Sequence, residues 1–174
     1  MTVNPSYPIG PFQACENPDL DVIHTWISEI GKTPAMLREV VGQLNDAELD
    51  TPYRAGGWTV RQVVHHIADN NMNAYFRFKR ALTEDCPHVS SYQQDKWAAL
   101  ADYMMPVDCS LSLIDAIYSR FVALLRTLDH EDFHRTMNSE AFGILRLDTA
   151  VQRFLWHDRH HLEQIRSRGS YGRG

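Results

Sequence analysis

Gly56-Gly57-Trp58-Thr59-Val60-Arg61-Gln62-Val63-Val64-His65-His66-Ile67-Ala68-Asp69 is the stretch on which the fold turns. The glycine pair marks a turn, because glycine adopts conformations that other residues resist. Thr59 is a suitable N-cap, with a side-chain oxygen to offer the free backbone N–H groups of a first helical turn. Beyond it, apolar residues fall at Val60, Val63, Val64, Ile67, Ala74, Phe78 and Leu82, with Asn71 as the polar exception. This is helical spacing, so a long amphipathic helix begins here. A helix with one apolar stripe needs partners to cover it.

The partners are legible on both sides. Upstream, a helix is predicted from about Pro18 to Leu44, with Pro18 in its first turn and a kink or break at Gly31 and Pro34. Between it and the central helix, residues 50–57 read as a loop. Downstream, a short helix is expected over Gln93–Ala101 and a long one from about Ser110 to Leu128, with Leu113, Ile114, Ile117, Phe121, Leu124, Leu125 and Leu128 inward. Residues 133–147 fit a short hairpin or an irregular loop equally well. A last helix starts after Asp148, taken as its N-cap, and ends near Arg166 before Gly169. Four main amphipathic helices predict an all-α four-helix bundle, one domain over residues 1–174. Pro5, Pro8 and Pro11 predict an extended arm over residues 1–17, and residues 167–174 a flexible tail.

Composition narrows the function classes. The net charge of −5, with Lys and Arg scattered, argues against a partner with a phosphate backbone. Cys15, Cys86 and Cys109 are odd in number and far apart, with no CxxC spacing, so they read as reduced cysteines. The N-terminal MTVNPSYPIGPF has neither a basic nor an apolar region of a signal peptide, and no apolar run suits a membrane span. A cytoplasmic protein is expected.

Nine histidines are present, and their placement matters more than their number. His157 and His161, four apart on the last helix, lie one above the other on the edge that carries Ala150, Phe154 and Ile165. Such an i,i+4 pair aimed inward is what a helix offers when two imidazoles bind one metal, as in HExxH enzymes, though the HExxH glutamate is missing here. His160 sits to one side and is expected to be peripheral. The third ligand would come from His65 or His66, and periodicity does not choose between them. Their neighbours favour His66, which shares its side with Gln62, Asp69, Asn70 and Asn73, whereas His65 sits with Trp58, Arg61, Met72 and Phe76. Histidines in such places also serve as ordinary core residues, carbonyl caps or partners of Asp158, and spacing alone leaves that open.

The quoted stretch closely resembles a segment of the DinB/YfiT-like superfamily, in particular its YfiT branch of candidate metal-dependent hydrolases. Ser6-Tyr7-Pro8-Ile9-Gly10, Leu49-Asp50-Thr51-Pro52-Tyr53-Arg54, Met72-Asn73, Arg77-Phe78-Lys79, Trp156-His157 and His160-His161-Leu162 resemble the same branch. The resemblance is weakest over residues 84–109 and 133–147. It implies a four-helix bundle holding one zinc or nickel through a histidine before an Ala-Asp dipeptide and an HxxxH pair, here His66, His157 and His161. It also implies a homodimer. Asp158 and Arg159 bring more charge between the ligands than the family leads one to expect.

Three neutral imidazoles leave positions open on a metal, the layout of catalytic rather than structural sites. Hydrolysis of a small molecule is the first expectation. Transfer of a low-molecular-weight thiol, shown by other branches of the superfamily, is the second, and a non-catalytic metal-binding stress protein the third. Asp69, on the His66 side, would orient an imidazole or stand as a surface carboxylate. Asp158, in the middle of the last helix's apolar stripe, would act as a general base or pair with Arg61 or another arginine. Trp58 and Tyr75 would line a pocket or belong to the core.

Overall fold

Thr59 caps the central helix as its sequence predicts. In the computed structural model, which describes residues 6–168, its hydroxyl accepts from Gln62 N while the Gln62 side chain accepts from Thr59 N. This reciprocal box satisfies two of the backbone donors that a helix start leaves free. The turn before it needs both glycines. Gly56 has φ +68°, and a Cβ on Gly57 would come within 2.8 Å of Arg54 Cγ.

The helix so started is α4 (Val60–Thr83), and its main companions are α1 (Leu20–Ile30), α2 (Thr33–Val41), α6 (Val107–Leu125) and α8 (Leu147–Arg166). The first predicted helix is therefore two. Gly31 closes α1, and Pro34 stands at the start of α2, where its missing N–H costs nothing. Pro18 precedes the helix rather than sitting in its first turn. The cap is Asp19, whose side chain accepts from Val22 N.

Around the bundle, α4 packs on α6 and α8, and the α1–α2 pair packs on the same two. Of the long helices, α1–α2 thus lies diagonally across from α4, and α6 from α8, while α4 and α6 are neighbours. The connections from α2 to α4 and from α6 to α8 must therefore cross the ends of the bundle, carrying α3 (Asp46–Leu49) and α7 (His130–His134), while the connection between the neighbours α4 and α6 carries α5 (Gln94–Trp97) and a 3₁₀ turn at Ala101–Met104. The core is Ile23, Ile27, Ile30, Val63, Val64, Ile67, Ile114, Phe121, Leu125, Val151 and their neighbours. Asn71 is fully buried within it and donates to the Tyr118 hydroxyl at 2.6 Å. Among the described residues no helix is long and apolar enough to cross a membrane.

Residues 133–147 resolve into a hairpin. Strand β2 (Thr136–Ser139) pairs antiparallel with β3 (Gly143–Arg146), and β1 (His88–Val89) adds to β2 in parallel. The hairpin leads directly into α8, so Asp148 is not the cap expected. It lies in the first turn, buried, and accepts from Arg146 Nη2 at 2.6 Å. Leu113, expected inward, is exposed, and Leu111 takes a place in the core instead. The N-terminal arm, from residue 6, runs beside α8, where Cys15 N donates to Gln152 Oε1 and Gln152 Nε2 returns a bond to Cys15 O. Residues 1–5 of that arm, and the predicted tail from residue 169, lie outside the described residues. Cys15, Cys86 and Cys109 are free.

Candidate metal centre

His66 lies in the second turn of α4, and His157 and His161 lie midway along α8, so the three meet where those helices pack. Their Nε2 atoms face one another. His157 Nε2 stands 3.2 Å from His66 Nε2 and 3.1 Å from His161 Nε2. Two imidazole nitrogens sharing a tetrahedral metal at ~2.0–2.1 Å stand about 3.3 Å apart. The separations fit a shared cation.

Each opposite ring nitrogen has a partner of its own. His161 Nδ1 lies 2.8 Å from Gln164 Oε1 and donates its proton there. His66 Nδ1 lies 3.3 Å from the Tyr92 hydroxyl. His157 Nδ1 lies 3.3 Å from the Asn70 amide, whose oxygen accepts a ring proton when turned toward it; the two amide orientations are isosteric. Protons held on Nδ1 leave the Nε2 lone pairs converging, as in histidines that bind metals.

Burial keeps all three rings neutral. It pulls the His66 pKa down to about 4, with His160 adding repulsion. It drives His157 and His161 well below the ordinary histidine range, again with neighbouring histidines adding to the effect. Neutral imidazole is the form that takes a metal without first losing a proton.

The neighbours sort themselves by contact. His65 points away from the centre, with Nδ1 2.7 Å from Ser110 Oγ and Nε2 3.1 Å from Met105 O, so it belongs to the packing. His160 is not peripheral. It is buried, stacked on Trp156 with the rings 20° apart, and its Nε2 accepts from Gln164 Nε2 at 2.9 Å. Gln164 thereby fixes two adjacent histidines with one amide. Asp69 does not touch an imidazole of the centre; its Oδ2 accepts from the Tyr103 hydroxyl at 2.6 Å. Asp158 has no arginine partner among the described residues either; Arg61 is held by Asp50 at 2.7 Å and Asp46 at 3.3 Å. Its carboxyl is buried toward Tyr118, Thr33 and Asn71, and burial raises its pKa to about 8. Arg159 turns outward to Glu29. The charges between the two α8 histidines therefore leave the centre clear. Trp58 packs on His66 with ring centroids 4.7 Å apart, whereas Tyr75 packs against Phe121.

Sequence reading did not single out Gln164, Tyr92 or Asn70 for these tasks. Gln164 stands three residues after His161, within helical reach, and spacing could have found it; Asn70 reaches from α4 to His157 on α8, and no local pattern marks that contact. Tyr92 arrives from the loop after β1, and no local pattern marks it. An open groove past Tyr92 and a smaller cavity of about 170 Å³ both reach His157, sharing Asn70, Arg77 and Phe142 as walls.

Comparison with known proteins gives the family and the fold. The family model of the DinB superfamily matches residues 29–165. A Bacillus cereus (strain B4264) protein named as a candidate metal-dependent hydrolase is 46% identical over 161 residues, 92% of this chain and 93% of its own. An Oceanobacillus iheyensis protein of the same name is 44% identical over 165 residues, covering 95% and 96%. Among solved structures, YfiT from Bacillus subtilis, described as a probable metal-dependent hydrolase with an unusual four-helix bundle topology, matches with a TM-score of 0.91 at 41% identity, over 94% of this chain and 95% of that one. A further four-helix bundle protein shares the fold at 19% identity with a TM-score of 0.58.

Proposed function

The chain belongs to the DinB superfamily, and from that premise we propose that it is a metal-dependent hydrolase of a small molecule, with His66, His157 and His161 holding one zinc or nickel. The observation that carries this reading is the convergence of three neutral Nε2 atoms, each with its Nδ1 tied to Gln164, Tyr92 or Asn70. His66, His157 and His161 would hold a divalent cation whose Lewis acidity would lower the pKa of water and polarise a substrate carbonyl.

The chain's own residues do the rest. Gln164, Tyr92 and Asn70 hold the ring planes, and Trp58 covers one face of His66. His157, half-buried, faces the groove and gives access to solvent and substrate. Tyr92 lines that groove, and burial keeps its hydroxyl protonated at neutral pH. No carboxylate of the described residues joins the histidine group; Asp69 holds the Tyr103 hydroxyl, and Asp158 is buried toward Tyr118, Thr33 and Asn71.

Elemental analysis tests the reading. About one firmly held metal per chain is expected in the native protein, and none at this site in the His66→Ala/His157→Ala/His161→Ala variant. Hydrolysis of esters and amides by the loaded protein should stop on chelation, with oxygen from labelled water in the product. A folded native chain that takes up neither zinc nor nickel would sink the metal assignment. Product joined to a thiol instead of water would move the activity to group transfer.

A further inference from the structure

The cavity of about 170 Å³ beside His157 has apolar walls, among them Phe78, Leu145 and Phe154, and two arginines, Arg77 from α4 and Arg153 from α8. A cavity of ~150 Å³ is enough for a benzene ring. Arg38, Arg61, Arg80, Arg146 and Arg159 each hold a carboxylate. Arg77 and Arg153, like Arg54, Arg120, Arg126, Arg135 and Arg166, do not among the described residues, and these two line the cavity. Arg77 spends one donor, Nη2, on Ser90 O at 2.7 Å. Arg153 makes no hydrogen bond among the described residues; the Phe142 and Phe12 rings lie 3.8 and 4.5 Å from its guanidinium carbon. Those rings cover faces and leave its edge donors free. Burial works against both charges, yet a guanidinium stays protonated. Trp156, on the same wall, adds an indole N–H that is buried without a partner.

An acidic chain that keeps two cations and a spare donor around an apolar cavity has left them for something else. Forked guanidinium donors match the paired oxygens of an oxyanion, and such charge-assisted bonds strengthen where water is excluded. We propose that the molecule processed at this site is a small organic anion, its carboxylate or phosphate group held by Arg77 and Arg153 and its apolar part against the cavity wall. The location of the reaction rests on the metal-centre reading; the recognition does not.

Calorimetric titration with phenylacetate, phenyl phosphate and neutral phenylacetamide tests this, on the full chain as isolated and again after chelation. In both states phenylacetate should bind about tenfold or more tightly than phenylacetamide. Arg77→Gln and Arg153→Gln should each remove most of that preference, and Arg77→Lys should keep part of it, with circular dichroism confirming the fold of every variant. A stronger response to phenyl phosphate also supports the oxyanion and names phosphate esters as the class. Equal binding of acid and amide, no binding of either anion, or a preference untouched by both glutamine variants would overturn it. Because the preference is read without metal as well, a failed metal centre leaves it standing, and its own failure leaves the metal centre standing.

Discussion

His66, His157 and His161 at the seam of α4 and α8, and His130, Glu131 and His134 on the short helix α7, each bring three potential ligand atoms within 4.8 Å of one another. Each group contains an i,i+4 histidine pair with ring centroids 4.4 Å apart. The difference lies in what surrounds them. The inner group is buried apart from half-buried His157, and every Nδ1 is engaged, which leaves Nε2 free. In the outer group His130 and Glu131 are exposed, and His130 Nε2 faces the Pro18 carbonyl at 3.4 Å. Spacing makes a pair in either place. Only the fold adds a third imidazole from a distant helix, and only burial keeps the set neutral and fixed.

The largest expected effect breaks the comparison outright. His157→Ala or His161→Ala should abolish firmly held metal while helical circular dichroism stays near native, and His130→Ala/His134→Ala should leave the stoichiometry unchanged by elemental analysis. The reverse pattern would transfer the site to α7. Next in size, Gln164→Ala should weaken metal binding ~10–100-fold, the usual cost of losing a partner that orients a ligand histidine. Equilibrium dialysis against a competing chelator would measure it, and an unchanged affinity would make the Nδ1 contact incidental.

Acid should expose the cost of neutrality. The folded metal-free protein resists protonating His66 until about pH 4, while the unfolded chain protonates it near the ordinary value of 6.5. Stability of the metal-free form should therefore be unaffected by this group above pH 6.5 and fall as pH drops from there toward 4. Denaturant unfolding at several pH values tests the sign. Asp158 runs the other way. It keeps its proton in the folded state up to about pH 8 and loses it in the unfolded state near 3.8, so it destabilises increasingly as pH rises between the two. Asp158→Asn should raise Tm at neutral pH by a few degrees, where each kcal/mol is worth about 2–4 °C, with the gain vanishing near pH 4. Smallest for the metal is His65→Ala, which should retain it fully while costing roughly 1–3 kcal/mol of stability through the stranded Ser110 and Met105 groups.

Much of this was legible because it is local. The α4 stripe, its Thr59 cap and the helix break at Gly31 and Pro34 follow from neighbours within a turn. The choice of His66 over His65 came from Gln62, Asp69, Asn70 and Asn73 on one side of the helix, and the structure brings His66 to the α8 pair. What escaped is non-local. Strand β2 takes its partners from Gly143–Arg146 and His88–Val89, and four-residue strands alternate too briefly to announce themselves. Tyr92 follows that distant pairing. Asp158 found a pocket of uncharged polar groups instead of an arginine, because Arg61 was already claimed from the loop before α4. Asp148 was misjudged too: β3 runs into α8 without a break, so the cap position falls to Arg146, whose side chain makes no capping bond.

The diagonal order of the helices has an evolutionary consequence. The three histidines stand on the long helices α4 and α8, while Tyr92, on the α4–α6 connection, and the hairpin residues, on the α6–α8 crossing, complete the groove and cavity from outside. The metal ligands and the two arginines, Arg77 on α4 and Arg153 on α8, are thereby inherited on the helices, and the outer walls of the groove and cavity on the connections. A lineage can lengthen, shorten or recompose the crossings and so explore new substrates, with the metal-binding geometry passed down unaltered.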